Sequence, residues 1–256
     1  MTSNPSIKKT IDDIGGCADF LWRTLTTWFF PPFEFREFLK QCYYVGYRSL
    51  PLIGLTGFIM GLVITMQLRP AMIDYGAEAQ IPAIVGIAII REIGPVITAL
   101  IFAGKIASSI GAELASMKVT EQIDAMEVSG TNPFKYLIIT RIFATTLMLP
   151  MLVLLSDAIS LYGSFLGVNI SGHISFTLFT NQVVDALTFS DFVPAIVKSY
   201  FFGMAVGVVG CYMGYSSAKG TEGVGISANS AVVTSSIIIF ILDLIAVQIT
   251  ALLGYN

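Results

Sequence analysis

Arg91 and Glu92 stand side by side within an apolar run over residues 81–102. A guanidinium next to a carboxylate can form an ion pair, meet a polar headgroup or take part in a proton relay. In hydrocarbon each such charge costs about 2.5–3.5 kcal/mol on insertion scales, so the two belong where they face protein, water or a polar ligand. Asp157, Lys198 and Asp243 are likewise isolated in apolar surroundings. Counted from one end of their apolar stretches, Arg91, Glu92, Asp157 and Asp243 lie about eleven residues in, and Lys198 reaches the same level by snorkelling. One polar layer results. As interhelical glue, Arg91 pairs with Glu92 or an aspartate, and Lys198 with Asp243. As a functional set, the same residues hold a polar ligand or pass protons.

Other chemistry is poorly supplied. His173 is the only histidine, and neither a Gly-x-Ser-x-Gly elbow nor a His-Glu-x-x-His pair occurs. The string nearest to a phosphate-binding loop, residues 99–106, lacks the first glycine and the Ser or Thr after Lys105. The glycine-rich stretch 214–225 has no strand before it and reads as a flexible turn. Cys17, Cys42 and Cys211 are scattered without metal-ligand spacing, so neither a metal site nor a cofactor is expected in this chain. A net charge of −3 without a basic stripe argues against nucleic acid as a partner.

The elements that position these charges are read from composition and run length. Hydrophobic residues make up 55% of the chain and charged residues 12%, half the quarter or so usual in a soluble domain, which places the chain in a bilayer. About 20 apolar residues cross a 30 Å hydrocarbon core. On that measure five spans are predicted, over 49–68, 81–110, 136–168, 199–218 and 231–255, the fourth taking in Lys198 if it starts nearer Phe192. With the N-terminus inside, the cytoplasmic side receives Lys8, Lys9, Arg23, Arg36, Lys40, Arg48, Lys105, Lys118, Lys135, Arg141 and Lys219, and the outside receives Arg69. That asymmetry follows the positive-inside rule and leaves the C-terminus outside. Gly57 and Gly61, and Gly203, Gly207, Gly210 and Gly214, give small faces for close helix approach, within one chain or between two.

Three segments lie outside the spans. Residues 1–48 form an N-terminal amphipathic segment: Ile11, Ile14, Ala18, Leu21, Leu25 and Trp28 recur at helical spacing, broken by Pro31 and Pro32. It reads as an interfacial helix or as a helix packed on the bundle. Phe176, Phe179, Val183 and Leu187 share one helical face, predicting a short helix at the outer surface or a lid over a cavity. Between spans two and three, charged residues from Glu113 to Lys135 alternate with Leu114, Met117, Ile123, Ala125, Met126 and Val128. This predicts a cytoplasmic amphipathic helix ended by Gly130 and Asn132-Pro133, a knob for a partner rather than a minimal connector.

Several of these residues resemble a known family. Arg91-Glu92-Ile93-Gly94-Pro95, then Ala103-Gly104-Lys105, Gly111-Ala112-Glu113, Met117, Thr120-Glu121-Gln122-Ile123, Met126-Glu127 and Asn132-Pro133 are similar to the MlaE/YrbE permeases, membrane subunits of MCE-linked ABC lipid transporters. The likeness is densest over residues 91–141 and continues more weakly over about 43–254, including Gly57, Gly61, Gln67 and Leu242-Asp243.

The resemblance implies an all-α polytopic membrane protein, with residues 49–256 forming an ABC permease domain. It implies a homodimer in the bacterial inner membrane, two cytoplasmic ATPase subunits that bind ATP and Mg, and a periplasmic MCE ring. A small STAS-type accessory protein on the ATPase and a role in outer-membrane lipid asymmetry belong to the same expectation. The cargo would be phospholipid. Glu121, Gln122, Asp124, Ala125 and Met126 would form the coupling helix, and Arg91, Glu92, Tyr75, Ile64, Leu68 and Met72 would line the lipid cavity. The last four are spaced 4, 4 and 3 apart and share a helical face, as a plain core stripe also would. Two other classes compete. An ion-coupled secondary transporter would use Glu92, Asp157 or Asp243, though no inverted repeat is visible. An intramembrane enzyme would need nucleophile and base partners that the chain lacks.

Overall fold

Apolar runs without internal charge fold as helices in a bilayer because every backbone N–H and C=O must be paired within the segment. The computed structural model describes residues 20, 22, 24, 26, 34–170, 172, 174–218 and 220–252, and among these it is helical throughout with no strand. The helices are α1 (Phe35–Val45), α2 (Leu50–Asp74), α3 (Glu78–Val119), α4 (Gln122–Val128), α5 (Phe134–Asn169), α6 (Phe176–Ala186), α7 (Phe189–Tyr215) and α8 (Thr221–Leu252). Five of them, α2 (running on from α1), α3, α5, α7 and α8, are long and apolar enough to cross a membrane.

The observed helices overrun the charge-free stretches. α7 begins ten residues before position 199 and α8 ten before 231, so Asp191 and Lys198 become helical residues with partners on other helices. α3 is 42 residues long, about 60 Å at 1.5 Å per residue, or twice a hydrocarbon core.

α5 and α7 are the centre of the bundle. In its most apolar stretch α5 is 67% buried, whereas α8 is 17% buried. The glycine faces set the approach of these helices, and they pack within one chain. A Cβ at Gly61 would fall 1.8 Å from the Ser160 carbonyl oxygen on α5, and one at Gly207 would fall 2.2 Å from Thr145 Oγ1. Gly210 and Gly214 bring α7 against α3 less tightly, where an added Cβ would fall 3.3 Å from Ala107 and 2.7 Å from Leu114. Ser160 Oγ then donates to the Gly57 carbonyl at 2.8 Å, and the Thr65 and Ser164 hydroxyls meet at 2.6 Å. Around this scaffold Phe102, Ile106, Leu114, Ile138, Leu149, Phe202 and Val206 form the main core.

α1 is built inside out relative to a helix in water. Glu37, Gln41 and Val45 are its buried residues, while Phe35, Leu39 and Tyr43 are exposed. Gln41 Nε2 donates to Glu37 Oε1 at 2.8 Å and the Tyr136 hydroxyl to Glu37 Oε2 at 3.2 Å, so the inward polar face is satisfied. Upstream, Phe20 packs edge-on against Phe134 at 5.2 Å, whereas Trp22 is exposed. Ile11, Ile14, Ala18, Leu21, Leu25, Trp28 and Cys17 lie outside the described residues, as do His173 and Lys219.

Candidate functional site

Pro95 carries no N–H for the carbonyl of Arg91, and its ring crowds that oxygen, which favours a departure from regular α-helix at this point. α3 widens there into a π-helical turn, Ile89–Ile93, in which Gly94 N–H donates five residues back to the Ile89 carbonyl. Arg91 and Glu92 sit in that turn. Single π turns inside α-helices concentrate at functional sites. Gly94 is required by its neighbour on α5: a Cβ there would fall 1.7 Å from Asp157 Oδ1.

Glu92 is held by Lys198 of α7, with Nζ 2.6 Å from its Oε2; the same Nζ lies 3.0 Å from Asp243 Oδ1 on α8. The lysine is 5% exposed and the Glu92 side chain 40%, so one face of the group is shielded and the other open. Three helices are tied at one atom. Arg91 Nη1 stands 3.7 Å from Asp191 Oδ1 on the first turn of α7. Asp191 also caps that helix, since its Oδ2 accepts from the Thr188 backbone N–H at 3.0 Å and from the Thr188 hydroxyl at 2.7 Å. These side chains open onto a small cleft lined by Arg91, Glu92, Ser190, Asp191, Pro194, Lys198, Ala246, Val247 and Thr250. Two cations face three carboxylates, so the group as a whole has no surplus positive charge.

Asp191 was not singled out by its surroundings in sequence. The signal was present in the Thr188-x-x-Asp191 spacing, a capping box at a helix start. Asp157 is placed apart from the ionic group: it is buried against Gly94, its Oδ1 has no hydrogen-bond partner, and among the described residues no ion pair includes it.

The α2 stripe takes up a different position from Arg91 and Glu92 within one chain. Ile64, Leu68 and Met72 pack beside Ile81, Val85 and Ile89, on the side of α3 turned to α2, α5 and α6. Ile64 lines a narrow crevice with Ile89, Ile93, Gly94 and Ser156. Tyr75 ends α2 and is 82% exposed. α6 is fixed over the start of α3 by buried Phe179 and Val183, with Val183 against Gly86 and Phe179 against Phe165.

At the far end of α3 the chain turns through Glu121, whose φ of 58° is left-handed, into the seven-residue α4. Ile123 is buried and Met126 packs partly on the core, while Glu121, Gln122, Asp124, Ala125 and Glu127 are exposed and Val128 is 91% exposed. The short amphipathic helix expected between Glu113 and Gly130 is thus split: Glu113, Leu114, Met117 and Lys118 belong to α3 and only 122–128 form the separate helix. Arg141, 2% exposed, bonds Glu113 Oε1 at 2.8 Å and the Leu137 carbonyl at 2.8 Å, clamping α5 to the end of α3 beside it.

A bundle of five membrane-crossing helices, with an ionic cleft at one level and a projecting helix at the other, defines a membrane protein of the permease type. Residues 38–249 match the MlaE permease family, and the chain belongs to it. It is 36% identical to a probable ABC transporter permease protein of Rickettsia typhi over 91% of this chain and 90% of that one. Similar proteins in Synechocystis and Porphyra purpurea, also named probable ABC transporter permeases, are 36% and 40% identical, covering 80% and 76% of this chain and 78% and 74% of theirs.

Proposed function

We propose that this chain is the permease subunit of an ABC transporter that moves phospholipid, or a closely related lipid, between the bacterial inner membrane and a periplasmic MCE-domain ring. It works as a homodimer with its N-terminus inside and its C-terminus outside, and serves outer-membrane lipid asymmetry. Two ATPase subunits, with a small STAS-type protein bound to them, supply ATP and Mg chemistry. This chain carries out no catalysis of its own.

The observation that carries the reading is that one rod, α3, bears the ionic cleft in its first half and leads into exposed α4 at its other end. α4 docks in a groove of the ATPase through Glu121, Gln122, Asp124, Ala125 and Met126. Its movement is passed along α3 and, through the Arg141–Glu113 clamp, to α5. The Lys198 junction then shifts α7 and α8 together with Glu92, and Arg91 and Glu92 border the lipid near its headgroup and upper acyl carbons. Ile64, Leu68, Met72 and Tyr75 line the same outward cavity where two copies meet. α1, with aromatic residues outward and Glu37 inward, lies in the interface plane.

Purification from native membranes followed by mass spectrometry of proteins and lipids tests this. An ABC ATPase, an MCE protein and phospholipid should copurify, and reconstituted lipid transfer should require ATP. Transfer driven by a proton gradient without any ATPase would replace this reading by an ion-coupled carrier, for which the unpaired carboxylate of Asp157 would be the first candidate.

A further inference from the structure

α3 contains a second π-helical turn, Ala103–Ala107, and it too carries a cation, Lys105. Lys105 lies 14 positions after Arg91, about 21 Å further along the helix. There a second and larger cleft opens between α3 and the start of α2, lined by Tyr44, Tyr47, Arg48, Lys105 and Ser109. Lys105 Nζ donates to the Arg48 carbonyl oxygen, which ties the Lys105 side chain to the Arg48 backbone at the mouth of this cleft. The Arg48 guanidinium lies 4.7 Å from the centre of the Tyr44 ring.

The two clefts differ in charge. Around Lys198 the cations are matched by Glu92, Asp191 and Asp243. The Arg48 cleft has no carboxylate in its lining, and among the described residues neither Arg48 nor Lys105 has one within 4.0 Å. Two cationic residues lining one cleft without a counter-ion attract an anion, and phosphate suits both donors. Leu50, Pro51 and Ile106 supply apolar wall directly beside them. A free anion would leave that wall bare; the glycerol and first acyl carbons of a lipid would cover it. Exposed Tyr44 and Tyr47 are the residue type that gathers at headgroup depth.

We propose that this cleft binds the phosphate of an anionic phospholipid headgroup in the leaflet on the Arg48 side, as a site separate from the Lys198 cleft. The proposal rests on the lipid-permease reading for its cargo and, through the inside N-terminus, for naming that leaflet cytoplasmic. Arg48 and Lys105 contact the phosphate, and the two tyrosines border the headgroup.

The test uses the full chain in detergent with Ser109→Cys as a reporter in the cleft, its alkylation by a maleimide read peptide by peptide. Phosphatidylglycerol should slow alkylation several-fold, diacylglycerol with the same chains should not, and inorganic phosphate alone should have little effect. Protection should vanish in Arg48→Ala with Lys105→Ala and return in Arg48→Lys with Lys105→Arg. Equal protection by diacylglycerol, or by inorganic phosphate, would overturn the proposal, the first even if the alanine variant fails to fold. So would protection that survives in a folded alanine variant. Protection by phosphatidylglycerol in a chain that transfers no lipid would sink the transport reading and leave this site standing. ATP-driven transfer without protection would do the reverse.

Discussion

Lys198 and Glu92 are 106 positions apart in the chain and 2.6 Å apart in space, and Asp243 shares the same ammonium at 3.0 Å. One cation therefore bridges two carboxylates on two other helices. Removing it leaves two neighbouring negative charges, that of Asp243 mostly shielded and that of Glu92 partly open, without this shared partner.

Lys198→Met should destabilise the protein by about 3 kcal/mol, at the low end for a broken buried pair because Glu92 is partly open. Adding Glu92→Gln and Asp243→Asn should restore most of the melting temperature in detergent, since a neutral hydrogen-bonding set has no charge to compensate. Transport should remain lost in the triple variant. A single variant that melts with the wild type would refute the junction as a structural tie.

Gly61→Ala should be poorly tolerated, because its Cβ would fall 1.8 Å from backbone at Ser160. Overpacking of this kind costs about 1–3 kcal/mol even where a flexible side chain can move away, and here the obstacle is a carbonyl. Gly104→Ala is the matched control: nothing lies within 4 Å of its added methyl. Thermal melts should separate the two variants, with the Gly104 change neutral or slightly stabilising. Equal melting temperatures would mean that α2 and α5 do not pack as closely as described.

How far these features were legible depends on whether a residue's partner lies nearby in sequence. The five spans follow from long apolar runs with few charges, because hydrocarbon penalises each charged residue on its own account. The start of α7 does not, because Asp191 and Lys198 are made tolerable inside that helix by Arg91 and Glu92 on another. Depth counting placed Arg91, Glu92, Lys198 and Asp243 in one layer. It held no information on azimuth, so it did not distinguish the ionic group from Asp157, which faces Gly94 instead. Azimuth also separates Ile64 and Leu68 from the Lys198 cleft. The glycine spacing showed that helices approach closely, but their partner, α5 or α3, is a property of the fold alone.

Glu121→Gly should separate docking from stability. At φ 58° a residue with a Cβ pays about 1–2 kcal/mol that glycine does not, so the variant should melt no lower than the wild type. Its exposed carboxylate is nevertheless lost from the face of α4. ATPase recovered on affinity purification should fall, and more so with Asp124→Ala added. Ile123→Asp, which buries a charge, should instead lower the yield of folded protein. Full ATPase recovery with the Glu121 and Asp124 changes combined would remove α4 from the interface.

Pro95→Ala tests whether the π turn aims the ionic group. Restoring the N–H at position 95 removes the reason for widening α3, and a proline inside a helix costs about 3 kcal/mol. The gain from the restored hydrogen bond is offset where the ionic group separates, so the thermal melt should change little. A π turn holds one extra residue, so closing it turns one flank of α3 against the other by about 100°. Either Arg91 and Glu92 then leave Asp191 and Lys198, or the lower half of α3 rotates Lys105 and α4 out of place. Both routes disconnect the cleft from the projecting helix, so ATP-driven lipid transfer should drop at least severalfold while the ATPase is still bound. Unchanged transfer would show that the group keeps its aim without the irregular turn.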